Sequence, residues 1–309
     1  MPLQVDKETE LAIVRRAYAK QIVSYFVGED ARVEAAFAAV PREHYLGPGP
    51  WQAMRLPFVY AATPSDDPVY VYTDRLFGLI TGKGVNNGQP SLHAALMADA
   101  RVAVGEHVVH IGAGTGYYSA IFAHLVGPTG RVSAAEFDPD LASRAARNLV
   151  GLPNVHVFTG DACQMSFDPA DIIYVNAGFS RIPLSWLDAL RDGGRLFLPM
   201  GTRAGLKDVE SAHKDPAKPD MGKIMRLAQS QVMFRIDRRG EEFHVKPSIP
   251  AAFIPAEGED PVAEAALAAA IEKGGAKKVT RLYRGGDIPE ERCWLRGDGW
   301  ALTYGPGPD

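Results

Sequence analysis

The sequence is poor in cysteine and has no long run of apolar residues. Its two cysteines, Cys163 and Cys293, lie far apart and form neither a metal-binding pair nor a disulfide framework. Because reducing compartments rarely hold disulfides, two unpaired thiols favour a cytoplasmic protein. The absence of a run of about 18 apolar residues argues against a membrane-spanning helix. The polar start, MPLQVDKETE, does not resemble a signal peptide.

The sequence also lacks an excess of positive charge. Lys and Arg total 33 against 37 Asp and Glu, which gives a formal net charge of −4. Without a basic stripe, the composition gives no support for binding to nucleic acid or to an anionic membrane. The chain does have length and apolar content, since 46% of its 309 residues are hydrophobic. It can therefore bury a large core and is long for a single domain.

Strand and helix patterns alternate between residues 106 and 201. The strands are EHVVHIG, GRVSAAE, NVHVFTGD, ADIIYVNA and RLFLPMG, and helical stretches separate most of them. Nearly continuous apolar strands with intervening helices predict an α/β fold, namely a doubly wound, mostly parallel, Rossmann-like sheet covered on both faces.

Three parts are expected along the chain. Residues 1–84 are predicted to form N-terminal helices and a substrate-side cap, and residues 85–255 the central core. Residues 256–309 are predicted to form a small α+β extension, in which a helix is followed by a strand pair bent at the sequence GDG. The charged, proline-bearing segment 206–222 is predicted to be a surface loop.

The stretch VVHIGAGTGYYSAIF joins the first strand of the core to a helix through Gly112, Gly114 and Gly116. Glycine permits a tight turn and a close approach of ligand to backbone, and the helix that follows presents free N–H groups. Tyr117 occupies the place where a dinucleotide pattern, GxGxxG, has its third glycine, which disfavours a dehydrogenase. The GxGxG spacing suits S-adenosylmethionine, and a glycine-rich turn without a ligand is the structural alternative.

Two acidic residues strengthen the nucleoside interpretation. Glu136 ends the strand RVSAAE, where a carboxylate can accept hydrogen bonds from both ribose hydroxyls. Asp161 lies in the sequence GDA after the third strand, where it could accept a hydrogen bond from the adenine amine. A solvated carboxylate is the alternative for Glu136, and a turn cap is the alternative for Asp161.

These segments together resemble the protein-L-isoaspartate O-methyltransferase family. The similarity is carried by HIGAGTGY, AAEFDPDLASRA, NVHVFTGDA, ADIIYVNAG, IPLSWLDALRDGGRLFLPMG, the upstream VEAAFAAVPREHYL, and NNGQPSLHAALM at the family's Thr-Ile-Ser-Gln/Ala-Pro loop. It covers residues 30–205 and extends toward residue 255. The resemblance implies a cytosolic enzyme that transfers methyl from S-adenosylmethionine, leaving S-adenosylhomocysteine, to a protein or peptide carboxylate such as the α-carboxyl of an isoaspartyl residue.

The resemblance also implies a set of site residues. The glycines hold the methionine end of the cofactor, Glu136 the ribose and Asp161 the adenine. The cofactor-binding set is Gln89, His93, His110, Gly112, Ala113, Gly114, Thr115, Gly116, Tyr117, Glu136, Phe137, Gly160, Asp161, Ala162 and Asn176. The acceptor loop is Asn86, Asn87 and Gly88. No metal is implied.

Two positions depart from the family pattern. His110 stands where the family has an acid near the cofactor's amino group, and a neutral imidazole can accept a hydrogen bond but loses the charge pairing. A histidine packed into the fold is the alternative there. Asn86 and Gly88 replace the loop threonine and serine, and that serine is thought to touch the acceptor carboxylate. Asn86 or Asn87 could supply an amide N–H instead, or the loop could be a turn that tolerates positive φ.

Three functional hypotheses follow. The first is a methyltransferase acting on an isoaspartyl or related peptide carboxylate, which needs no general base because a carboxylate is already ionised at neutral pH. The second is the same fold with another acceptor, a small molecule or a modified peptide, and the third is a non-catalytic adenosyl-binding module. Tyr70, Tyr72 and Asp74 precede the loop and could line the acceptor cleft, with packing as the alternative.

Overall fold

The structure is a computed structural model that describes residues 6–56, 59–203, 230–285 and 288–305. The chain divides into two compact units. The first comprises residues 1–106 and 113–159, and the second comprises residues 107–112 and 160–309. The predicted loop at 206–222 falls outside the described residues, and the boundaries expected at residues 84 and 255 stay predictions.

The first unit is built mainly from helices. These are α1 (Lys7–Phe26), α2 (Ala31–Ala39), α3 (Arg42–Leu46), α4 (Pro90–Ala100), α5 (Tyr117–Val126) and α6 (Pro139–Asn148). Its strands are β1 (Gln52–Leu56), β2 (Val59–Ala62), β3 (Gly78–Ile80), β4 (Val85–Asn86), and, after β5 of the second unit (His107–Ile111), β6 (Arg131–Glu136) and β7 (Val155–Thr159).

Side-chain caps mark the starts of three helices of the first unit, α1, α2 and α6. Asp30 accepts hydrogen bonds from the backbone N–H groups of Arg32 and Val33, and this cap starts α2. Asp138 caps α6 in the same way, and Pro139 occupies the first helical position, where no N–H is needed. Strands β6 and β7 pair in parallel from Val132 to Glu136, so Glu136 stands at the carboxyl end of β6.

The second unit is a sheet that begins parallel and ends antiparallel. After β5 it contains β8 (Ala170–Val175), β9 (Leu190–Gly201), β10 (Gln231–Arg239), β11 (Glu242–Pro247), β12 (Val279–Arg284), β13 (Cys293–Gly297) and β14 (Trp300–Tyr304). The strand order is β13-β14-β12-β11-β10-β9-β8-β5. Strands β5, β8 and β9 are parallel, and the rest are antiparallel.

The α/β class is confirmed, and the C-terminal extension lengthens the sheet. The predicted strand pair bent at GDG is β13 and β14, which pair from Cys293↔Thr303 to Gly297↔Trp300. Two helices described in this unit are α7 (Leu184–Ala189) and α8 (Pro261–Lys273), and Asp260 caps α8 by accepting the N–H of Val262. Helix α8 packs on β9 and β13, and thereby covers part of the added sheet. No described helix is both long enough and apolar enough to cross a bilayer.

A fully buried arginine organises the connection between α3 and α4. The Arg42 guanidinium donates hydrogen bonds of 2.7 Å to the carbonyls of Val71, Thr73 and Arg75, and it lies 5.0 Å from the centre of the Phe77 ring. These carbonyls belong to a stretch with little regular structure of its own. The planar fork of Arg42 therefore satisfies backbone acceptors that neither a helix nor a strand provides for.

Replacing this arginine should destabilise the fold. Arg42→Lys keeps the charge but cannot reach three carbonyls at once, so we expect a loss of about 3 kcal/mol in the free energy of unfolding. Urea unfolding followed by circular dichroism measures it. Arg16→Lys, an exposed position on α1, is the matched control and should be neutral. Equal stability of Arg42→Lys and wild type would contradict this role.

Candidate active site

The three glycines of the bend serve different purposes. Gly112, in the second unit, has φ +77°, and a Cβ there would lie 3.1 Å from the Asn176 carbonyl oxygen. Gly116, in the first unit, has φ +96°, and a Cβ there would lie 2.7 Å from Leu149. Gly114 has φ +58°, and its nearest neighbour would be a methyl of Leu79 at an ordinary 3.4 Å. Packing therefore requires glycine at 112 and 116, whereas the backbone at 114 stays accessible.

Glu136 points at this accessible glycine. One carboxylate oxygen, Oε2, accepts the Gly114 N–H at 2.6 Å, and the other, Oε1, accepts the Asp138 N–H at 3.0 Å. Glu136 is only 7% exposed, and burial, the largest influence, raises the pKa of its carboxyl above the usual value. A carboxylate has about four acceptor positions, so these hydrogen bonds do not use all of them.

The other predicted cofactor-binding residues near Glu136 in the first unit differ in how exposed they are. Phe137, directly after Glu136, exposes 46% of its surface. The Tyr117 ring instead packs into the core against Phe37 and Tyr45. The Ala113 N–H donates to the carbonyl of Ala135, and the Thr115 carbonyl accepts a hydrogen bond from the Asn148 side chain. These two backbone groups are therefore hydrogen-bonded within the fold.

In the second unit, His110 lies on β5, next to β8. It pairs in register with Tyr174 on β8, and the two rings meet edge to face at 5.7 Å. Complete burial lowers the pKa of its imidazole to about 3, so the ring is neutral at physiological pH. His110 therefore does not replace the charge of the acid that the resemblance places at this position.

Asp161 and Asn176 lie in the loops that follow β7 and β8. Asp161 Oδ1 accepts the Cys163 N–H at 2.9 Å, which is the turn-cap role that the sequence left open, while its side chain stays partly exposed. Asn176 joins the glycine bend, because its N–H donates to the Ile111 carbonyl at 2.8 Å. Gly160 has φ +128°, and the Ala162 carbonyl accepts the indole N–H of Trp186.

The acceptor loop packs against the first turn of α5. Asn86 is occupied within the loop, since its Oδ1 accepts the Gly88 N–H and its Nδ2 donates to the Gly84 carbonyl. The Oδ1 of Asn87 accepts the Phe77 N–H at 2.8 Å, and its side chain is buried. The Gly88 carbonyl accepts the hydroxyl of Tyr118 at 3.2 Å. Tyr118 was not among the predicted residues, although its place directly after the bend was the available signal.

A network around Asp74 fixes the end of the loop. Its carboxylate accepts hydrogen bonds from the N–H and hydroxyl of Ser91, at 2.8 and 2.6 Å, and from the Gln89 amide at 2.9 Å. Asp74 thus holds the start of α4 and the side chain of Gln89 together. The hydroxyl of Tyr72 donates a hydrogen bond to Glu43 and accepts one from Arg15. Tyr70 is 41% exposed.

The Gly88 position excludes a serine by steric conflict. Gly88 has φ +75°, and a Cβ there would lie 2.3 Å from His93 Nε2 and 3.3 Å from the Tyr118 ring. His93 is fully buried and stacks on Tyr118, with ring centres 3.8 Å apart. The imidazole therefore fills the space where the serine of the family loop would begin.

Restoring that serine should cost stability unless the imidazole is removed. We expect Gly88→Ser to reduce the free energy of unfolding by about 2 kcal/mol or more, from positive φ and overpacking together. The double variant Gly88→Ser/His93→Ala should recover part of that loss, because the smaller side chain makes room. Thermal melts of both single variants and the double variant measure the coupling. Strict additivity of the two changes would contradict the steric account.

The buried carboxyl of Glu136 should leave a pH signature. Its raised pKa means that the folded state disfavours the ionised form, so its contribution to stability is greatest below the unfolded pKa and falls as pH rises. Glu136→Gln carries no such charge. We therefore expect the stability of the variant relative to wild type to increase between about pH 4 and pH 7. Urea midpoints at both pH values measure this, and a relative decrease would contradict it.

Comparison with known proteins identifies the family. The family profile described as "Protein-L-isoaspartate(D-aspartate) O-methyltransferase (PCMT)" matches residues 16–228. A protein-L-isoaspartate O-methyltransferase of Brucella anthropi is 33% identical over 204 residues, which span 63% of this chain and 84% of the relative. One of Thermotoga maritima is 31% identical over 180 residues, which span 57% of this chain but only about half, 52%, of the relative.

Solved structures share the fold. A structure described as protein-L-isoaspartate O-methyltransferase has a TM-score of 0.60 and 21% identity, and the match covers 95% of this chain and 88% of that one. A second, from Plasmodium falciparum and in complex with S-adenosyl-L-homocysteine, has a TM-score of 0.55 and 16% identity, covering 78% of this chain and 97% of that one. On the strength of the profile match, this chain belongs to the protein-L-isoaspartate(D-aspartate) O-methyltransferase family.

Proposed function

We propose that this chain is an S-adenosylmethionine-dependent O-methyltransferase that methylates a carboxylate of a protein or peptide. The observation that carries this proposal is the position of Glu136, whose buried carboxylate accepts the N–H of Gly114 at the accessible turn of the glycine bend. A carboxylate at the end of β6 that still has free acceptor positions suits the two hydroxyls of a ribose. Family membership supports the same cofactor and the same reaction class.

The residues of the first unit fit an adenosyl group. Gly114 leaves its backbone open to close approach, and a side chain there would adopt a strained φ of +58°. Phe137 presents an exposed ring beside Glu136, and an aromatic face can stack on a planar base. In the second unit, Gly112, Asp161 and Asn176 stay predicted cofactor-binding residues, and the neutral imidazole of His110 stays a predicted acceptor of a hydrogen bond.

The chemistry asks little of the protein in acid–base terms. When bound, the cofactor supplies a methyl group on a sulfonium sulfur, which is a good leaving group. An acceptor carboxylate is ionised at neutral pH, so the protein does not have to remove a proton from it. The contribution of this chain is to hold the two reactants in line and to exclude water. The interactions of Asp74 with Ser91 and Gln89 hold one end of the acceptor loop still for that purpose.

An isoaspartyl residue is the first acceptor to test, because the family is defined by it. The steric exclusion of a serine at Gly88 favours a second candidate, a related peptide carboxylate that the loop recognises without a hydroxyl. Both candidates keep a protein or peptide as the partner. We also infer a cytoplasmic location, which the free thiols of Cys163 and Cys293 support.

Cofactor binding can be tested without knowing the acceptor. S-adenosylhomocysteine at about 100 times its Kd should raise the melting temperature of the purified chain by about 5 °C, whereas NAD should leave it unchanged. Glu136→Ala should abolish most of the shift, and Glu29→Ala, an exposed position between α1 and α2, serves as the control. A shift with NAD and none with S-adenosylhomocysteine would rule out the methyltransferase.

The acceptor class requires a transfer assay. Radiolabelled methyl from S-adenosylmethionine should be incorporated into an isoaspartyl peptide, into its aspartyl twin, or into both, and base-labile product identifies a methyl ester. Incorporation into the isoaspartyl peptide alone supports the first acceptor, and incorporation into the aspartyl twin supports the second. If the protein binds cofactor but methylates neither peptide, the proposed carboxylate acceptor is wrong.

A further inference from the structure

A segment of the C-terminal part is joined to the loop that follows β8. The family match ends at residue 228, and the segment 253–259 lies beyond it. The Gly178 N–H donates to the Ile254 carbonyl and the Ala256 N–H donates to the Gly178 carbonyl, both at 2.8 Å, which forms an isolated parallel bridge between Gly178 and Pro255. Within the second unit, the segment 253–259 is thus hydrogen-bonded to the loop 176–181.

Glu259 ends this segment with a buried carboxylate. Only 2% of its side chain is exposed. Its Oε2 accepts the Ser180 N–H at 2.6 Å and also the Ser180 hydroxyl. Its Oε1 faces Arg181, whose Nε lies 3.9 Å away. A buried carboxylate is stable only when it is paired and hydrogen-bonded, so these contacts explain why Glu259 holds this loop.

Arg181 lies beside the Glu259 carboxylate but does not form a hydrogen bond with it. The distance of 3.9 Å is too long for a hydrogen bond. The Nε atom is buried without a hydrogen-bond partner among the described residues, while 35% of the side chain is exposed. A guanidinium has five N–H donors, so this one retains donors for an anion from outside.

The loop that carries Arg181 is on the ligand side of the sheet and is fixed along its length. It begins at Asn176, at the carboxyl end of β8, where α/β folds of this kind bind ligands. Asn176 bonds to Ile111 at the start of the glycine bend. Phe179 exchanges backbone hydrogen bonds with Pro199 and Gly201 of β9, and its ring packs against Trp186. A cation on such a loop keeps a defined position.

We propose that Arg181 is a specificity-determining residue that binds a carboxylate of the acceptor, and that Glu259 is its positioning residue. The inference rests on the proposed methyl transfer to a carboxylate. Arg181 pairs with one carboxylate oxygen and leaves the other free to react. The segment 253–259 therefore supplies part of the acceptor recognition of this chain, from outside the region that the family profile matches.

The test is a calorimetric titration of peptide into the full chain saturated with S-adenosylhomocysteine. The probes are an isoaspartyl peptide, its aspartyl twin, and an otherwise identical peptide with asparagine at that position. Arg181→Ala should lower the affinity for whichever carboxylate peptide wild type binds more tightly, by about tenfold or more. Arg181→Lys should lower it by less, because lysine keeps the positive charge but lacks the planar set of guanidinium donors. The affinity for S-adenosylhomocysteine should stay within about twofold of wild type, since Arg181 is proposed to contact only the acceptor. Arg147→Ala, an exposed arginine of α6, is the control.

Salt dependence separates charge recognition from a structural effect. The affinity of wild type for the carboxylate peptide should fall as ionic strength rises, and Arg181→Ala should lose most of that dependence. Glu259→Gln should weaken peptide binding while the melting temperature stays near wild type, and Ser180→Ala provides a second variant if the glutamine variant unfolds.

Two results would overturn the inference. One is an Arg181→Ala variant that binds the carboxylate peptides as wild type does. The other is a wild type that binds S-adenosylhomocysteine yet does not distinguish the carboxylate peptides from the asparagine peptide. Both leave the proposed cofactor intact. A wild type that fails to bind S-adenosylhomocysteine would instead overturn the proposed function itself.

Discussion

The contact between the Gly114 N–H and the Glu136 carboxylate is the interaction on which the candidate active site depends. It requires a positive φ at residue 114 and an acid at the end of the next strand. Burial works against the charge of Glu136, as its raised pKa indicates, and the N–H groups of Gly114 and Asp138 offset part of that cost. A buried acid that is only partly satisfied by its own fold is well placed to accept hydrogen bonds from a ligand.

The predicted acceptor loop of the first unit differs from Glu136, because its polar side chains are hydrogen-bonded to the fold. Asn86 accepts the N–H of Gly88, Asn87 accepts the N–H of Phe77, and Asp74 accepts the N–H of Ser91 at the start of α4. His93 and Tyr118 then occupy the space beside Gly88. The predicted acceptor loop therefore has no hydroxyl at residues 86–88. In the second unit, the Arg181 Nε has no hydrogen-bond partner among the described residues, and Glu259 joins the C-terminal part of the chain to the loop 176–181 that carries Arg181.

Local patterns in the sequence were enough for much of the fold. Apolar runs predicted the strands β5, β6 and β8, and the glycine spacing predicted the bend between β5 and α5. Contacts between residues distant in sequence were beyond reach, because nothing local marks them. The three carbonyls bound by Arg42, the pairing of Glu259 with Ser180, and the packing of His93 on Gly88 are of this kind. The strand-end position of Glu136 predicted a carboxylate that could bind a ribose, whereas its hydrogen bond with the Gly114 N–H became visible only in the fold.

The amide signal of Gly114 offers the most direct measurement of the central claim. In a two-dimensional 15N–1H spectrum, the resonance should lie downfield because the N–H donates to a carboxylate, and it should shift on titration with S-adenosylhomocysteine. In Glu136→Gln the downfield position should be lost, and the titration should no longer move the peak at the same ligand concentration. If the Gly114 amide resonance does not shift while the protein still binds S-adenosylhomocysteine, the result would contradict the account.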